Sequence, residues 1–245
     1  LALHCLVLMT LPVLAREQAT GVFQEIQTLR LLEYLLFYGL ALAAWLRLLP
    51  RPGPGFGPVR TLAVVVPALN ESDHIQECLA SVASQKDAAA QVIVADGGSL
   101  DRTREMARSL NAVVVVSEPG RGVQIRKGLE ACVADAALVL HADCVLQPGT
   151  LGRIKDCLNK DPWLAGGAVG MAFEAKGMKP WLVRTLNNLR ARVSGISFGD
   201  QGQFFRMKAL EKAGGFPELL LMEDVELSLR LADTGRLSLL GQGVA

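Results

Sequence analysis

The sequence predicts an α/β fold, with a mostly parallel sheet flanked by helices and preceded by an apolar helical segment. From Thr61 onward, short apolar and β-branched runs alternate with stretches whose apolar residues have helical spacing. The first part of the chain consists instead of two long apolar stretches, and a segment rich in Pro and Gly separates the two patterns. We therefore expect an N-terminal helical region over residues 1–50, a linker over 51–60 and an α/β domain over 61–245.

The N-terminal region is the most apolar part of the chain and is expected to associate with a membrane. Residues 1–15 carry no formal charge, and residues 31–49 are interrupted only by Glu33 and Arg47. A helical span needs about 20 mostly apolar residues; residues 31–49 come close to that length, whereas residues 1–15, which include Pro12, are short for a span. An amphipathic helix that docks on the domain or lies on the bilayer remains an alternative. A cleaved signal peptide over 1–15 would need a basic start, which is absent.

Basic residues after the second stretch predict the orientation. Arg47, Arg51 and Arg60 follow it, and the positive-inside rule then leaves the C-terminal domain on the cytoplasmic side of the cell membrane. Residues 51–58 alternate Pro and Gly, which disfavours both helix and strand. We therefore place the linker there and the domain boundary near residue 60.

The predicted strands are apolar throughout rather than alternating, as expected for a parallel sheet buried on both faces. In order, we expect strands at 62–66, 91–95, 112–116 and 136–140, with helices at 72–85, 101–110 and 122–133 between them. Beyond residue 148 we expect a helix at 150–159, an apolar Gly-rich segment at 165–173, a helix at 181–193, a strand at 203–206, a helix at 223–232 and a strand at 236–240.

The composition argues against several classes of protein. The 245 residues carry 25 Lys and Arg against 24 Asp and Glu, so a net charge of +1 gives no basic field for nucleic acid. A content of 51% apolar and 20% charged residues argues against disorder and coiled coils. The mean hydropathy of +0.31 is high for a wholly soluble protein. Five scattered cysteines without a CxxC pair indicate reduced thiols in a cytosolic compartment.

Acidic residues follow three of the first four predicted strands. Glu71 follows the first strand, Asp96 the second and Asp143 the fourth. Because the carboxyl ends of parallel strands meet at one edge, where ligands bind, we expect these carboxylates to converge on one pocket. A divalent cation or sugar hydroxyls would offset their repulsion. Each motif taken alone also fits a helix cap, a turn or a solvated strand end, and their recurrence favours a functional site.

Two common nucleotide sites are absent from the sequence. No GxGxxG follows the first strand and no GxxxxGK[ST] occurs, which argues against a dinucleotide dehydrogenase and a P-loop NTPase. Arg121 lies in a Gly-containing turn ahead of Arg126 and Lys127. These three basic residues are suited to neutralising a diphosphate, and they fit a basic surface turn equally well.

An ordered set of motifs resembles family-2 glycosyltransferases of the GT-A fold. The motifs are PALNE at 67–71, DGGS at 96–99, HAD at 141–143, GDQGQFF at 199–205, GGFPE at 214–218 and MEDVELSLRL at 222–231. Within that family, the last three resemble the bacterial branch described as radical-SAM/selenodomain-associated transferase 2. The resemblance covers roughly residues 61–240.

The resemblance implies an inverting glycosyltransferase that moves a sugar from a UDP- or GDP-linked donor to an acceptor hydroxyl, with Mg²⁺ or Mn²⁺ as cofactor. The acceptor would be membrane-proximal or lipid-linked. Asp224 would be the general base, and Asp200, Gln201 and Glu223 would line the acceptor side. The donor would be bound by Pro67, Asn70, Glu71, Asp96, Arg121 and Asp143, with Asp143 also meeting the metal. Glu223 and Asp224 also fit an acidic pair favoured by a helix N-terminus, and Asp200 fits an ordinary turn.

Two departures from the family pattern support an alternative. His141 replaces the first Asp of the D-x-D-type motif, so one metal-side carboxylate is missing. Family members commonly continue beyond the position of Ala245, and we therefore expect either a fragment or an incomplete acceptor site. The alternative function is a degenerate, non-catalytic module of the same fold that binds a nucleotide or a partner. A nucleotidyltransferase ranks last, because the Gly- and Arg-rich first loop that it needs is missing.

Overall fold

The apolar runs of the sequence form the strands of one sheet. The computed structural model describes residues 55–170, 188, 191–192, 195–219, 221–241 and 243–244, all within one compact unit, Pro50–Ala245. The strands are β1 Leu62–Ala68, β2 Gln91–Asp96, β3 Val113–Val116, β4 Ala136–Val139, β5 Leu164–Ala168, β6 Gln203–Arg206 and β7 Arg236–Leu239. The helices are α1 Ile75–Ala83, α2 Thr103–Ser109, α3 Arg121–Glu130, α4 Thr150–Lys160, α5 Met207–Lys212 and α6 Glu223–Thr234, with a 3₁₀ turn at Gly199–Gln201.

The seven strands lie in the order β3-β2-β1-β4-β6-β5-β7. All neighbouring pairs are parallel except those of β6, which runs antiparallel to β4 and β5. The direction of β6 matters for the site, because its first residue, Gln203, pairs with Val139 at the end of β4. Residues just before β6 therefore lie at the same edge as residues just after β4.

Two layers of apolar side chains cover the two faces of the sheet. Val64 and Val66 of β1 pack in one layer with residues of α1 and α4. Val65, the residue between them, packs in the other layer with residues of α3, α5 and α6. Both faces of β1 are thus buried, which explains why its sequence is apolar without alternation.

The predicted strands are confirmed, with ends that move by one or two residues. The Gly-rich segment predicted at 165–173 overlaps β5, Leu164–Ala168, which was not predicted as a strand. Its glycines are required by close packing, since a Cβ on Gly166 would lie 2.4 Å from the Phe204 carbonyl oxygen. The sequence analysis also missed α5, which has only six residues. The helix predicted at 181–193 lies almost entirely outside the described residues.

The first two helices begin later than predicted because side chains hold the preceding loops in turns. Asp101 accepts hydrogen bonds from the Ser72 and Thr103 N–H groups, both at 3.0 Å, and from the Thr103 hydroxyl. Its carboxylate therefore ties the loop before α1 to the start of α2. These hydrogen bonds, that of the Thr103 hydroxyl above all, hold the pKa of Asp101 below its ordinary value.

Residues 55–61 form neither helix nor strand, as Pro and Gly predict, but they are anchored to the domain. The anchor is Arg206 at the end of β6, whose side chain is almost fully buried. Its Nη1 donates to the Gly57 carbonyl at 2.6 Å, its Nε donates to the Leu164 carbonyl at 2.8 Å, and its Nη2 donates to the Leu158 carbonyl. The guanidinium also lies 5.4 Å from the centre of the Phe56 ring. The sequence analysis gave Arg206 no role.

The N-terminal expectations fall on residues that the structure leaves out. Residues 1–50 and the first four linker residues lie outside the described part of the chain, so the membrane-associated region and the domain boundary stay predictions. Across the ranges that are described, no helix combines the length and the apolar character that crossing a bilayer requires.

Asp135 gives a prediction about acid stability. Its Oδ2 accepts hydrogen bonds from the N–H groups of Thr61 and Arg60 at 2.9 and 2.8 Å. The Thr61 N–H above all holds the pKa of Asp135 below its ordinary value of 3.8. The stabilisation is therefore complete above that ordinary value and is lost as the pH falls through the lower pKa of the folded state.

We expect Asp135→Asn to flatten the decline in the free energy of unfolding between about pH 5 and pH 2, measured by urea titration. Asp156→Asn, which changes an exposed carboxylate on α4, is the matched control and should keep the wild-type slope. An Asp135→Asn curve parallel to that of the wild type would contradict the prediction.

Candidate active site

The loops after β1 and β2 interlock at the carboxyl edge of the sheet. Asp96 is fully buried and accepts hydrogen bonds from the N–H groups of Gly98 at 3.0 Å and Ser99 at 3.1 Å. Asn70 has a left-handed backbone, with φ of +56°. Its Oδ1 accepts from the Leu100 N–H at 2.9 Å, and its own N–H donates to Ser99 Oγ at 2.9 Å. The predicted donor-side residues Asn70 and Asp96 are thus brought together and shape this loop pair.

The remaining residues of the PALNE motif have different positions. Pro67 is buried within β1, where it pairs with Ala95, and does not lie in the loop. Glu71 is partly exposed, and its Oε2 lies 3.1 Å from His74 Nδ1. Its N–H donates to Thr103 Oγ1 at 2.8 Å, which places Glu71 beside the second loop as well.

Gln124 joins the same two strand ends and was not identified from the sequence. Its Nε2 donates to the carbonyl oxygens of Ala68 at 2.8 Å and Ala95 at 3.0 Å. The side chain is buried, and a Cβ on Gly97 would lie 2.9 Å from its Cδ. The glycine of the DGGS motif therefore lets Gln124 approach the two strands. The sequence feature that could have pointed to Gln124 is a polar residue three positions after Arg121.

Asp143 reaches the edge from the fourth strand, on the same side as Glu71. Asp143 is exposed, whereas Cys78 on α1 is buried and lies within electrostatic range of both carboxylates. Burial, and then the charges of Asp143 and Glu71, raise the pKa of Cys78 to about 12. Burial and Asp143 also raise the pKa of Cys144, whose thiol lies 3.5 Å from Asp143 Oδ1.

Asp224 is held in a fixed orientation at the start of α6. Its Oδ2 accepts a hydrogen bond from the Gly199 N–H at 2.7 Å, and its Oδ1 accepts from the Val225 N–H at 2.7 Å. Only 7% of the residue is exposed. The preceding Met222 has a left-handed backbone, with φ of +62°, which turns the chain into the helix. Backbone groups thus fix the carboxylate that the sequence analysis chose as general base.

His141 packs against the turn that binds Asp224. A Cβ on Gly199 would lie 2.6 Å from His141 Nε2 and 3.5 Å from Asp224 Oδ2. The first distance is too short for a contact, so glycine at position 199 lets the His141 ring lie this close to the turn. Burial, and then the positive charge of Arg121, lower the pKa of His141. The residue that replaces the first Asp of the family motif therefore lies next to the candidate base.

Arg121 and Glu223 form an ion pair between the first residues of α3 and α6. Arg121 Nε donates to Glu223 Oε1. The arginine side chain is 45% exposed, whereas the glutamate side chain is only 2% exposed. The hydrogen bond to Glu223 above all raises the pKa of Arg121, and the charges of Asp224 and Asp200 act in the same direction. One cation therefore faces three carboxylates.

The two other acceptor-side residues differ sharply in exposure. Asp200 is exposed, whereas Gln201 is fully buried. Gln201 Oε1 accepts from the Phe198 N–H at 3.0 Å, and its Nε2 donates to Asn188 Oδ1 at 3.3 Å. The side chain of Gln201 thus holds its own turn together and does not face solvent.

A buried network of polar side chains binds the main-chain carbonyl of Asp224. Gln203 Nε2 donates to the Asp224 carbonyl at 2.9 Å and to Ser197 Oγ at 3.0 Å. Ser228 Oγ donates to the Asp224 carbonyl at 2.9 Å. Their support of Asp224 was not predicted, because two isolated serines and a glutamine carry no signal of their own.

The carboxylates at this edge do not form a preformed metal site by themselves. Within the described ranges, no group of three or more His, Cys, Asp and Glu side chains is arranged to hold a metal ion. The exposed Asp143 is available as one carboxylate ligand. Mg²⁺ is commonly bound by one or two carboxylates together with substrate phosphates, and a single exposed carboxylate fits that arrangement.

The comparisons with known proteins identify the family. The chain belongs to Glycosyl transferase family 2, whose model matches residues 63–212. The prediction of a family-2 glycosyltransferase domain is therefore confirmed. Its finer assignment to the radical-SAM/selenodomain-associated branch is a separate question.

Two curated relatives share about a quarter of the aligned residues with this chain. The glycosyltransferase AglE of Haloferax volcanii is 27% identical over 189 residues, which cover 71% of this chain and 62% of AglE. The undecaprenyl-phosphate 4-deoxy-4-formamido-L-arabinose transferase of Pseudomonas syringae pv. syringae is 25% identical, over 61% of this chain and 47% of that protein. The chain thus spans less than two thirds of the length of either relative.

A solved structure shares the fold. The mannosyltransferase PcManGT from Pyrobaculum calidifontis, in complex with GDP-Man and Mn²⁺, has a TM-score of 0.62 and 20% sequence identity. The match covers 85% of this chain and 65% of that protein. The predicted GT-A class, with a mostly parallel sheet flanked by helices, is confirmed.

Proposed function

We propose that this protein is an inverting glycosyltransferase that moves a sugar from a nucleotide-diphospho-sugar to an acceptor hydroxyl, with Asp224 as the general base. The observation that carries the proposal is the fixed Asp224 carboxylate, bound by the Gly199 N–H at 2.7 Å at the ligand edge of the sheet. Membership of Glycosyl transferase family 2 supports the reaction class.

The proposed reaction is a single displacement. The acceptor oxygen bonds to the anomeric carbon while the bond between that carbon and the diphosphate oxygen breaks, and the hydroxyl proton passes to Asp224. Each oxygen of Asp224 accepts one backbone hydrogen bond and keeps a lone pair for the hydroxyl. Negative charge grows on the departing diphosphate, where the exposed guanidinium of Arg121 stabilises it.

The proposed donor is linked to UDP or GDP and is bound by Asn70, Glu71, Asp96, Arg121 and Asp143. Pro67 is buried in β1, so it would shape the donor site only as part of that strand. A divalent cation, Mg²⁺ or Mn²⁺, would neutralise the diphosphate and would be held by Asp143. The Mn²⁺ and GDP-Man in the Pyrobaculum structure support this type of cofactor and donor.

For the acceptor, we propose a membrane-proximal or lipid-linked hydroxyl-bearing group, with Asp200 at the acceptor side. The undecaprenyl-phosphate in the name of the Pseudomonas relative supports a lipid carrier. Membrane association through residues 1–50, a linker at 51–60, the domain at 61–245, a cytoplasmic catalytic side and the radical-SAM/selenodomain-associated branch remain parts of this proposal.

The proposal is tested by following nucleotide release and sugar transfer with UDP- and GDP-sugars, with and without Mn²⁺. An undecaprenyl-diphosphate-linked sugar in detergent micelles, which offers free hydroxyl groups, serves as one acceptor, and a reaction without acceptor is the blank. We expect release with at least one donor and a loss of about tenfold or more when EDTA removes the cation. Asp143→Asn should raise the Mn²⁺ concentration needed for half-maximal rate, whereas Asp156→Asn should not. Nucleotide binding without turnover of any donor would favour the non-catalytic alternative.

A further inference from the structure

Glu223 is buried in a way that stability alone does not explain. Its Oε1 pairs with Arg121, but its Oε2 is buried and makes no hydrogen bond. No other buried side-chain nitrogen or oxygen lacks a partner in the part of the chain that the structure describes. An unsatisfied buried oxygen costs free energy, and such groups in native proteins call for a functional reason.

The two members of the ion pair differ in exposure. Arg121 has its Nε on Glu223 while 45% of its side chain remains exposed at the ligand edge. The hydrogen bond to Glu223 uses Nε of Arg121, so Nη1 and Nη2 are not engaged in this contact. A guanidinium held through Nε presents its two Nη groups as a fork, which is the geometry that binds phosphate oxygens in pairs.

We propose that Glu223 is a positioning residue of the donor site, which holds Arg121 so that its Nη groups bind the diphosphate of the nucleotide. The inference rests on the proposed function. It moves Glu223 from the acceptor side, where the family resemblance put it, to the phosphate side. Because Glu223 precedes Asp224 in the first turn of α6, the same ion pair ties the phosphate-binding cation to the helix that carries the base.

The exposed pair on the next turn of α6 makes a matched control. Glu226 Oε1 accepts from Arg230 Nε at 2.7 Å, and these side chains are 35% and 38% exposed. Glu226→Gln and Arg230→Gln therefore remove a Glu–Arg pair from the same helix, away from the buried contact. Neither control variant should change nucleotide affinity.

The test is a double-mutant cycle read by calorimetric binding of GDP, UDP, guanosine and uridine in the presence of Mn²⁺. For the diphosphate that the wild type binds, Glu223→Gln and Arg121→Gln should each raise Kd by roughly tenfold, as expected for a charge-assisted hydrogen bond. The double variant should bind no more weakly than Arg121→Gln, because Glu223 acts through Arg121. Affinity for the matching nucleoside should stay unchanged, since it has no phosphate.

Additive effects in the double variant would overturn the inference, and so would an equal loss of nucleoside and diphosphate binding, which would show a general structural role. These outcomes leave the proposed function intact. If the wild type binds neither GDP nor UDP, the donor of the proposed function is wrong, and the inference fails with it.

Discussion

Asp224→Asn should lower kcat by about a hundredfold to ten-thousandfold, the range expected when a general base is removed. Asparagine keeps the size of the side chain and an oxygen that can accept from the Gly199 N–H, but it cannot take a proton from the acceptor hydroxyl. Since the donor is bound by other groups, its Kd should change by less than about twofold. The measurement is single-turnover transfer combined with calorimetric donor binding.

Asp233→Asn provides the control for this change. Asp233 is exposed on the same helix, so the variant makes the same chemical change away from the Gly199 turn. It should retain wild-type kcat and Kd. If Asp224→Asn turns over at the wild-type rate, Asp224 is not the general base.

Arg206→Met should lower the free energy of unfolding by about 3 kcal/mol or more, because it removes at once the donor of two buried carbonyl oxygens and of a partly buried one. The carbonyls of Gly57, Leu158 and Leu164 would lose their contacts with the guanidinium, and methionine offers no N–H in return. The measurement is urea unfolding at constant m-value.

Lys208→Met is the control for Arg206→Met, because Lys208 is exposed two residues further along the chain. Its stability should remain within about 0.5 kcal/mol of the wild type. If both variants have equal stability, the hydrogen bonds of Arg206 do not hold the segment before β1 to the domain.

The strands could be predicted from the sequence because burial on both faces leaves a continuous apolar run. β1 and β2 follow that rule. β5 could not be predicted in this way, since its sequence LAGGA has little β propensity and owes its conformation to close packing against β6. For β5, tertiary packing therefore outweighs local preference.

The site could be predicted only in part, for a reason that lies in strand direction. Parallel strands bring Glu71, Asp96 and Asp143 to one edge, and this convergence follows from the alternating pattern. The approach of Gly199 to Asp224 depends on β6 being antiparallel, and the four-residue strand QFFR does not reveal its direction. The pairing of Arg121 with Glu223 spans 102 positions and has no local signal at all.

The contact between Gly199 and Asp224 uses a main-chain donor, and this affects how the protein can diverge. Exchanging the neighbouring side chain at position 200 leaves the Gly199 amide in place, so such a change should not disturb this hydrogen bond. An inserted or deleted residue in the 3₁₀ turn at Gly199–Gln201 would shift the chain by about 2 Å, enough to break the hydrogen bond of that amide to the carboxylate. Loop length, together with glycine at position 199, should therefore be what selection preserves beside the base.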